Sequence, residues 1–485
     1  MKVTFVYTDY FETQDIITEP QGRVCLGIGY LSAVLQRAGH SVELIHLVRP
    51  AARQEIIEAV RASSPGLVAF SATTLQFSKV KELACWVKED LGLPVACGGV
   101  HPTTAPEEAI AVADIDYICV GEGEQAIVEL CDALDAGRPV DGIASIWSRR
   151  NGEVVRNPVR PLVEDLDSIP FPDREIFDEA NFAPNQKKRL TMMASRGCPF
   201  DCSYCCNHLQ KSIYPNPSKY VRFRSPANVI LEIEAARERD PGLAQVRFED
   251  DILTMDRGWF REFAALYSER VDLPFICNAR VDLINGEMVD LLARAGCSAI
   301  AMGVESGNLW LRRNVLRRQM GDDKILRAFA LCKEAGIQTV SLNMTGFPHE
   351  TMSMALDTIK MNSAIEPNLA QVTALCPFPN TAIHEECVAG GMMGDATPDT
   401  LFTGRSELML DKLTRDQVKM LCENFVLLMV AYRKCASLPW PLSKAATAGL
   451  DFFMKTRLIS QSARDRILEK RRYKLDWKYF VGVDY

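Results

Sequence analysis

At 485 residues the chain is too long for one hydrophobic core and is expected to divide into two or three domains. Hydrophobic residues make up 47% and charged residues 24%, the balance of an ordinary globular protein, and no apolar run approaches the roughly 20 residues of a spanning helix. The net charge of −8 gives no electrostatic support to a nucleic-acid partner, and the opening Met1-Lys2-Val3-Thr4-Phe5-Val6-Tyr7 is too short and too soon polar for a signal peptide, so a cytoplasmic location is expected.

In chain order, Val3–Tyr7 reads as a buried strand and Gly27–Ala38 as a helix closed by Gly39-His40. Val42–Ile45, Leu67–Ser71, Pro94–Gly98 and Tyr117–Val120 are further short strands. Helical patterns near Gln54–Ala62, Lys79–Glu89, Ala105–Val112 and Gln125–Ala136 alternate with them. This alternation predicts a doubly wound, Rossmann-like parallel sheet over residues 1–140, whose ligands bind at the carboxyl ends of the strands. Those ends are small, polar or glycine-rich: Ser71-Ala72-Thr73-Thr74, Gly98-Gly99-Val100-His101 and Gly121-Glu122-Gly123-Glu124.

Over 141–187 periodicity fades and proline rises, which reads as a linker with a small hairpin around Asn151-Gly152. A second alternating segment over 188–395 follows, with strands expected at Leu190–Ala194, Gln245–Glu249, Phe275–Asn278, Ala299–Met302, Thr339–Asn343 and Gln371–Leu375. Six strands with intervening helices predict a partial (β/α)6 barrel whose site lies at the strand carboxyl ends. Residues 396–485 read as mostly helical, with Leu413–Cys435 the clearest helix and a Lys- and Arg-rich end from Lys455 to Lys478.

The sixteen cysteines are read as free, since nothing marks the chain for export. Most, such as Cys25, Cys97, Cys119, Cys277, Cys332, Cys376 and Cys422, stand singly in apolar segments and read as small buried hydrophobes. One group is clustered: Cys198, Cys202 and Cys205 follow the first strand of the second segment with the spacing Cys-x3-Cys-x2-Cys. Thiolates this close in a loop point to a metal centre. Three rather than four suit an iron–sulfur cluster that keeps one iron open. Zinc is the competing reading, with Cys206 and His208 nearby, but its usual sites pair one close Cys couple with a second distant one.

On these residues the segment resembles the radical S-adenosylmethionine superfamily, with Tyr204 as the aromatic before the third cysteine. The resemblance extends along the strand ends. Phe248-Glu249-Asp250-Asp251 is similar to an F-x-D-D element near the methionine part of the cofactor, and Arg280 closes the third strand. Gly303-Val304-Glu305-Ser306-Gly307 is similar to the ribose-contacting G-x-E-S-G, Gly346–Thr351 to G-x-P-x-E-T, and Pro377–Thr381 to P-x-P-G-T. Asn380 replaces the glycine of that last motif, a change that asparagine's tolerance of left-handed backbone absorbs. Taken singly, Glu305 reads as a solvated carboxylate and Asp250-Asp251 as a turn or cap. The resemblance implies a [4Fe–4S] cluster on Cys198, Cys202 and Cys205, and S-adenosylmethionine held by Tyr204, Glu249, Asp250, Arg280, Glu305 and Ser306.

The first segment resembles the cobalamin-binding domain that precedes many members of this superfamily, on Leu26–His40, Gly98–Thr103 and Val120–Glu124. The resemblance implies cobalamin near Ser71, Thr73, Gly98, Gly99, His101, Gly121 and Gly123. No D-x-H-x-x-G element is present, so no histidine ligand from below is expected. For His101 a turn residue before Pro102 is an equal reading.

The function so implied is reductive cleavage of S-adenosylmethionine to a 5′-deoxyadenosyl radical, used for cobalamin-dependent methylation of an unactivated carbon in a small molecule or lipid. The alternatives are a radical reaction without methyl transfer (cyclisation, dehydration, oxidation or carbon–carbon coupling) and a cobalamin- or cluster-based sensor or binding module. Partners implied are an electron donor such as flavodoxin or ferredoxin. Gly449–Lys455 and the basic end allow either peripheral membrane contact or a solvated helix face.

Overall fold

The computed structural model describes residues 1–10, 24–150, 152–182, 186–394, 406, 408–456 and 468. The described chain forms two compact units: Met1–Phe200 with Cys205–Leu243 and Phe378–Asn380, and Asp201–Tyr204 with Ala244–Pro377 and Thr381–Tyr485. No helix among the described residues is long and apolar enough to cross a membrane. Most of the basic segment Lys455–Lys478 lies outside them.

The first unit is built on a seven-stranded sheet of β1 (Lys2–Thr8), β2 (Ser41–Leu47), β3 (Leu67–Ser71), β4 (Val95–Gly98), β5 (Tyr117–Cys119), β6 (Ile146–Arg150) and β7 (Glu153–Arg156), in spatial order β2-β1-β3-β4-β5-β6-β7. The first five pair in parallel and the last two antiparallel. The five parallel strands are those the apolar alternation predicts. Neighbouring residues on β1 and β3 enter different cores, because side chains alternate across a strand and helices cover both faces. Phe5, Leu67 and Ala69 join one core with Leu26, Ile28 and Leu35 of helix Leu26–Arg37, and Val6, Val68 and Phe70 join the other with Val80 and Val87 of helix Thr74–Leu91.

The stretch expected as a linker is more integrated than its prolines imply. The hairpin does form, but β6 pairs with β5 and extends the sheet, with Ile146 buried in its core. Farther on, Asp173 locks onto the first helix: its N–H donates to Gly29 O at 2.9 Å, and its carboxylate accepts from Ser32 Oγ and Gln36 Nε2, each at 2.7 Å. The same unit holds the strand β8 (Arg189–Met192) and the short antiparallel pair β9 (Ser195–Arg196) and β10 (Arg222–Phe223).

In the second unit β11 (Gln245–Phe248), β12 (Phe275–Ala279), β13 (Cys297–Glu305), β14 (Gln338–Thr345) and β15 (Leu369–Ala374) pair in parallel in chain order. A helix follows each of the first four, starting at Arg257, Gly286, Asp322 and Met352. Three of these starts carry a side-chain cap: Asp256, Asn285 and Thr351 accept from the backbone N–H of Trp259, Met288 and Met354. The helix expected at Leu413–Cys435 runs over Arg415–Ala436 and packs Val418, Leu421, Phe425 and Leu428 on Leu356 and Ile359. The fold is therefore α/β in both halves with a helical C-terminal part.

Candidate active site

The cysteine loop leaves β9 through Gly197, whose φ of +89° and whose close pass under Tyr220 both demand glycine; a Cβ there would lie 2.5 Å from Tyr220 O. In the first unit, Asn207 Nδ2 donates to Cys205 Sγ at 3.5 Å, and Tyr220 OH donates to Asn207 Oδ1 at 3.0 Å, which orients that amide. The neighbouring Cys206 Sγ accepts from Gln210 Nε2 at 3.3 Å. In the second unit, Cys202 is buried, and Arg280 Nη1 and Arg318 Nη1 approach its Sγ at 3.5 and 3.8 Å. Ser203 anchors this part of the loop: its Oγ donates to Val315 O at 2.6 Å and its carbonyl accepts from Ile383 N at 3.0 Å. Among the described residues no three His, Cys, Asp or Glu side chains converge around the position of a single ion. A cubane spreads its thiolates over separate corners. Of the single apolar cysteines Cys97, Cys277, Cys332 and Cys376 are buried while Cys25, Cys119 and Cys422 are half-buried.

Beside Cys202 lies a polar knot. Tyr204 OH donates to Glu305 Oε1 at 3.0 Å, Arg318 Nη1 donates to Tyr204 Oη at 3.0 Å, and Arg318 stands 3.6 Å from the Glu305 carboxylate. Arg318 Nη2 is spent on Gly303 O at 2.6 Å, while its buried Nε has no partner among the described residues. Glu305 is only 9% exposed and takes φ +62°, a strained setting for glutamate that turns its carboxylate into this site. Burial pushes its carboxyl above the ordinary value despite Arg318, Tyr204 and Arg280. An oriented carboxylate and an orphaned buried guanidinium N–H fit a ligand with both hydroxyl and carboxylate groups, as S-adenosylmethionine has.

The other strand-end residues divide. Arg280 is buried and pairs with Asp282 at 2.7 Å, and Asp250 is buried at the end of β11, its carbonyl accepting from Asn278 Nδ2 at 3.0 Å. Glu249 lies 3.4 Å from Arg247. Ser306 faces the other way. Its Oγ lies 3.4 Å from Thr358 Oγ1 and accepts from Asn308 N, and its carbonyl accepts from Arg312 Nη1 at 2.7 Å. Gly307 is there for packing, since a Cβ would sit 2.2 Å from Asp357 O. Glu350 likewise ties its own turn together, with Oε2 accepting from Thr345 Oγ1, Gly346 N and Phe347 N at 3.0, 2.5 and 3.2 Å. Asn380 takes φ +64°, as its replacement of glycine requires, and donates to Thr104 O at 2.8 Å.

In the first unit a cavity of about 250 Å3 opens at the strand ends. Ser71, Gly98, Gly99, Gly121 and Gly123 line it, over an apolar floor that includes Phe5, Ala69, Ala96 and Leu130. Thr73 and His101 do not line it. Thr73 caps the helix Thr74–Leu91 through Gln76. His101 is buried against the Phe77 ring at 3.9 Å, with Nδ1 3.4 Å from Thr74 Oγ1, and burial lowers its pKa to about 4. The glycines that line the cavity answer to different constraints. A Cβ on Gly99, at φ +97°, would lie 2.8 Å from Ala72 O, and one on Gly121 2.9 Å from Tyr214 OH, so both answer to backbone and ring packing. A Cβ on Gly98 would meet only Cys119 Cβ, at 3.6 Å, and one on Gly27 would meet nothing, so Gly27 leaves open space on the wall. A small apolar cavity with glycine walls and a rim of Glu122, Glu124 and Arg196 accepts a flat apolar part of a larger ligand. That rim is held by half-buried ion pairs: Arg196 reaches Glu122 at 3.0 Å and Glu124 at 2.6 Å, and Arg222 reaches Glu122 at 2.9 Å.

Arg318 carries no motif that sequence reading used. Its one signal is the pair Arg317-Arg318 in a run of arginines following the Glu305 strand, too common a pattern to single it out.

Comparison with known proteins finds a domain family for each half of the chain. Residues 192–361 match the radical SAM superfamily model and residues 24–131 the B12 binding domain. An uncharacterised methyltransferase of Pyrococcus horikoshii is 27% identical over 372 residues, covering 76% of this chain and 79% of its own. The anaerobic magnesium-protoporphyrin IX monomethyl ester cyclase of Rubrivivax gelatinosus is 28% identical, covering 74% of this chain and 65% of its own. The solved structure of the cobalamin-dependent S-adenosylmethionine radical enzyme OxsB superposes with a TM-score of 0.70 at 17% identity, covering 98% of this chain and 73% of that one, a likeness of fold. The chain is an enzyme of the radical S-adenosylmethionine superfamily with a B12-binding domain ahead of its radical domain. The cofactors that go with these domains are a [4Fe–4S] cluster, S-adenosylmethionine and cobalamin.

Proposed function

We propose that the enzyme methylates an unactivated carbon of a small molecule or lipid, using all three cofactors. When bound, the cluster with S-adenosylmethionine supplies a 5′-deoxyadenosyl radical and cobalamin supplies a methyl carrier. In this reading Cys198, Cys202 and Cys205 are the cluster ligands, and Asn207 and Tyr220 hold the Cys205 thiolate in place. Glu305, fixed by Tyr204 and Arg318, accepts from the ribose hydroxyls. Arg280, Asp250 and Glu249 complete the polar wall around the methionine part. Ser306 acts from behind, fixing the backbone that presents Glu305. The glycine-walled cavity near Ser71, Gly98 and Gly123 takes part of the cobalamin, with Gly99, Gly121, Thr73 and His101 shaping its loops. Residues 1–140 act as the cobalamin domain, 188–395 as the radical domain and 396–485 as the substrate-covering part.

The observation that carries the reading is the Tyr204–Glu305–Arg318 knot beside the buried Cys202: a nucleotide-binding carboxylate adjoining a thiolate that the cluster motif supplies. An electron donor such as flavodoxin or ferredoxin would act in a reducing cytoplasm. Exposed Trp440, in the turn before the helix Leu442–Lys455, and Leu442 and Phe452 on that helix support contact with an apolar substrate or a membrane surface. A second reading, radical chemistry without methyl transfer, is favoured by the likeness to the Rubrivivax cyclase. Anaerobic turnover of cluster- and cobalamin-loaded enzyme with candidate substrates separates them. Methylation yields 5′-deoxyadenosine and S-adenosylhomocysteine together, and the second reading yields 5′-deoxyadenosine alone.

A further inference from the structure

Two guanidinium groups converge on one sulfur. Arg280 Nη1 lies 3.5 Å and Arg318 Nη1 3.8 Å from Cys202 Sγ, distances at which an N–H donates to sulfur. Cys202 is 7% exposed and each arginine 5%, so the contacts lie out of water. The two arginines divide their forks differently. Asp282 takes the Nε of Arg280 at 2.7 Å, which leaves Nη1 for the sulfur. Arg318 gives Nη2 to Gly303 O and shares Nη1 among Tyr204 Oη, Glu305 and Cys202.

A thiolate that needed only a place in the chain would not require two buried cations. Desolvating a guanidinium is costly, and the cost is recovered only where it meets concentrated negative charge. One-electron reduction of an iron–sulfur cluster adds negative charge that spreads onto its ligating sulfurs. Hydrogen bonds and positive charge at those sulfurs stabilise the reduced form, an effect strengthened by low local dielectric. The geometry points to Arg280 and Arg318 as positioning residues that set the cluster's reduction potential through Cys202, holding it more positive than the same cluster without them. The step they influence is uptake of one electron from an external low-potential reductant, taking the cluster from its 2+ to its 1+ state. Neither arginine gains or loses a proton in it.

This rests on Cys202 being a cluster ligand, so the experiment has two arms. Iron content of Cys202→Ala tests the ligand itself: retention of wild-type iron would remove that premise. Potentiometry of the reconstituted full-length protein, followed by electron paramagnetic resonance without S-adenosylmethionine, tests the arginines. At a fixed applied potential Arg318→Gln and Arg280→Gln should each lower the reduced-to-oxidised ratio about tenfold, equivalent to 59 mV for a one-electron couple. Arg318→Lys keeps the charge without the planar fork and should fall between wild type and Arg318→Gln. If either glutamine variant fails to load iron, the other and Arg318→Lys carry the measurement. Midpoints equal to wild type in the iron-loaded variants would overturn the proposal while leaving the ligand assignment standing.

Discussion

Tyr204 OH donates to Glu305 Oε1 at 3.0 Å, joining the residue before the third cysteine of the motif to a strand end 101 residues later in the chain. The bond explains why an aromatic with a hydroxyl stands at 204, and it makes the two residues one unit. Tyr204→Phe should leave the iron content unchanged and weaken S-adenosylmethionine binding about tenfold, since a hydrogen bond that positions a charged acceptor contributes about 1.5 kcal/mol. Glu305→Gln should do the same. Glu305→Ala should in addition lower the melting temperature, because Arg318 then stands buried beside no carboxylate. Anaerobic calorimetry checks the affinities; unchanged affinity in both Tyr204→Phe and Glu305→Gln would contradict the assignment.

The cavity wall gives a cleaner test of cobalamin binding than the glycine doublet does. Gly27 lines the cavity, starts a helix and has open space where a side chain would go. Gly27→Trp should therefore cut cobalamin retention severalfold with little change in melting temperature. Gly99→Trp should destabilise the whole first unit, because its φ is +97° and Ala72 O lies 2.8 Å from the added Cβ. Cobalamin absorbance and thermal melts on both variants distinguish blocked binding from lost fold.

Glu350 gives the protein a pH-dependent element. Burial raises its carboxyl pKa from 4.5 to about 7, against the three donors on Oε2. Because the folded value is the higher one, its contribution to stability is full below about pH 4.5 and is lost as pH rises toward 7. The change is on the order of 3 kcal/mol. Glu350→Gln should flatten stability over that window, as measured by denaturant melts of matched samples. An identical pH slope in the variant would count against the buried-acid assignment.

How much of this was legible in the sequence depends on what sets each feature. The parallel strands were, because both faces of β1 and β3 are covered and Val3, Phe5, Val6, Leu67 and Val68 must all be apolar. The cysteine spacing and Glu305 were legible for a different reason, as chemistry tied to a motif. The hairpin's place in the sheet was hidden by Pro139, Pro158 and Pro161, whose density reads as linker although Ile146 is core. His101 reads as a ligand contact because a histidine at a strand end has several uses, and only its packing against Phe77 sets it apart from the cavity. Gly99 does line the cavity, but the close pass of Ala72 demands a glycine there as well. Arg318 was invisible for want of local pattern: its value comes from Cys202, which is 116 residues away.

The chemistry of the site turns on which thiolates carry iron. Iron and sulfide analysis of anaerobically reconstituted protein should give about four irons per chain in wild type. The combined Cys198→Ala, Cys202→Ala, Cys205→Ala variant should hold none. Cys206→Ala, which removes the sulfur that Gln210 Nε2 donates to, should match wild type. Wild-type iron in the triple variant, or its loss in Cys206→Ala alone, would contradict the assignment of the cluster to Cys198, Cys202 and Cys205.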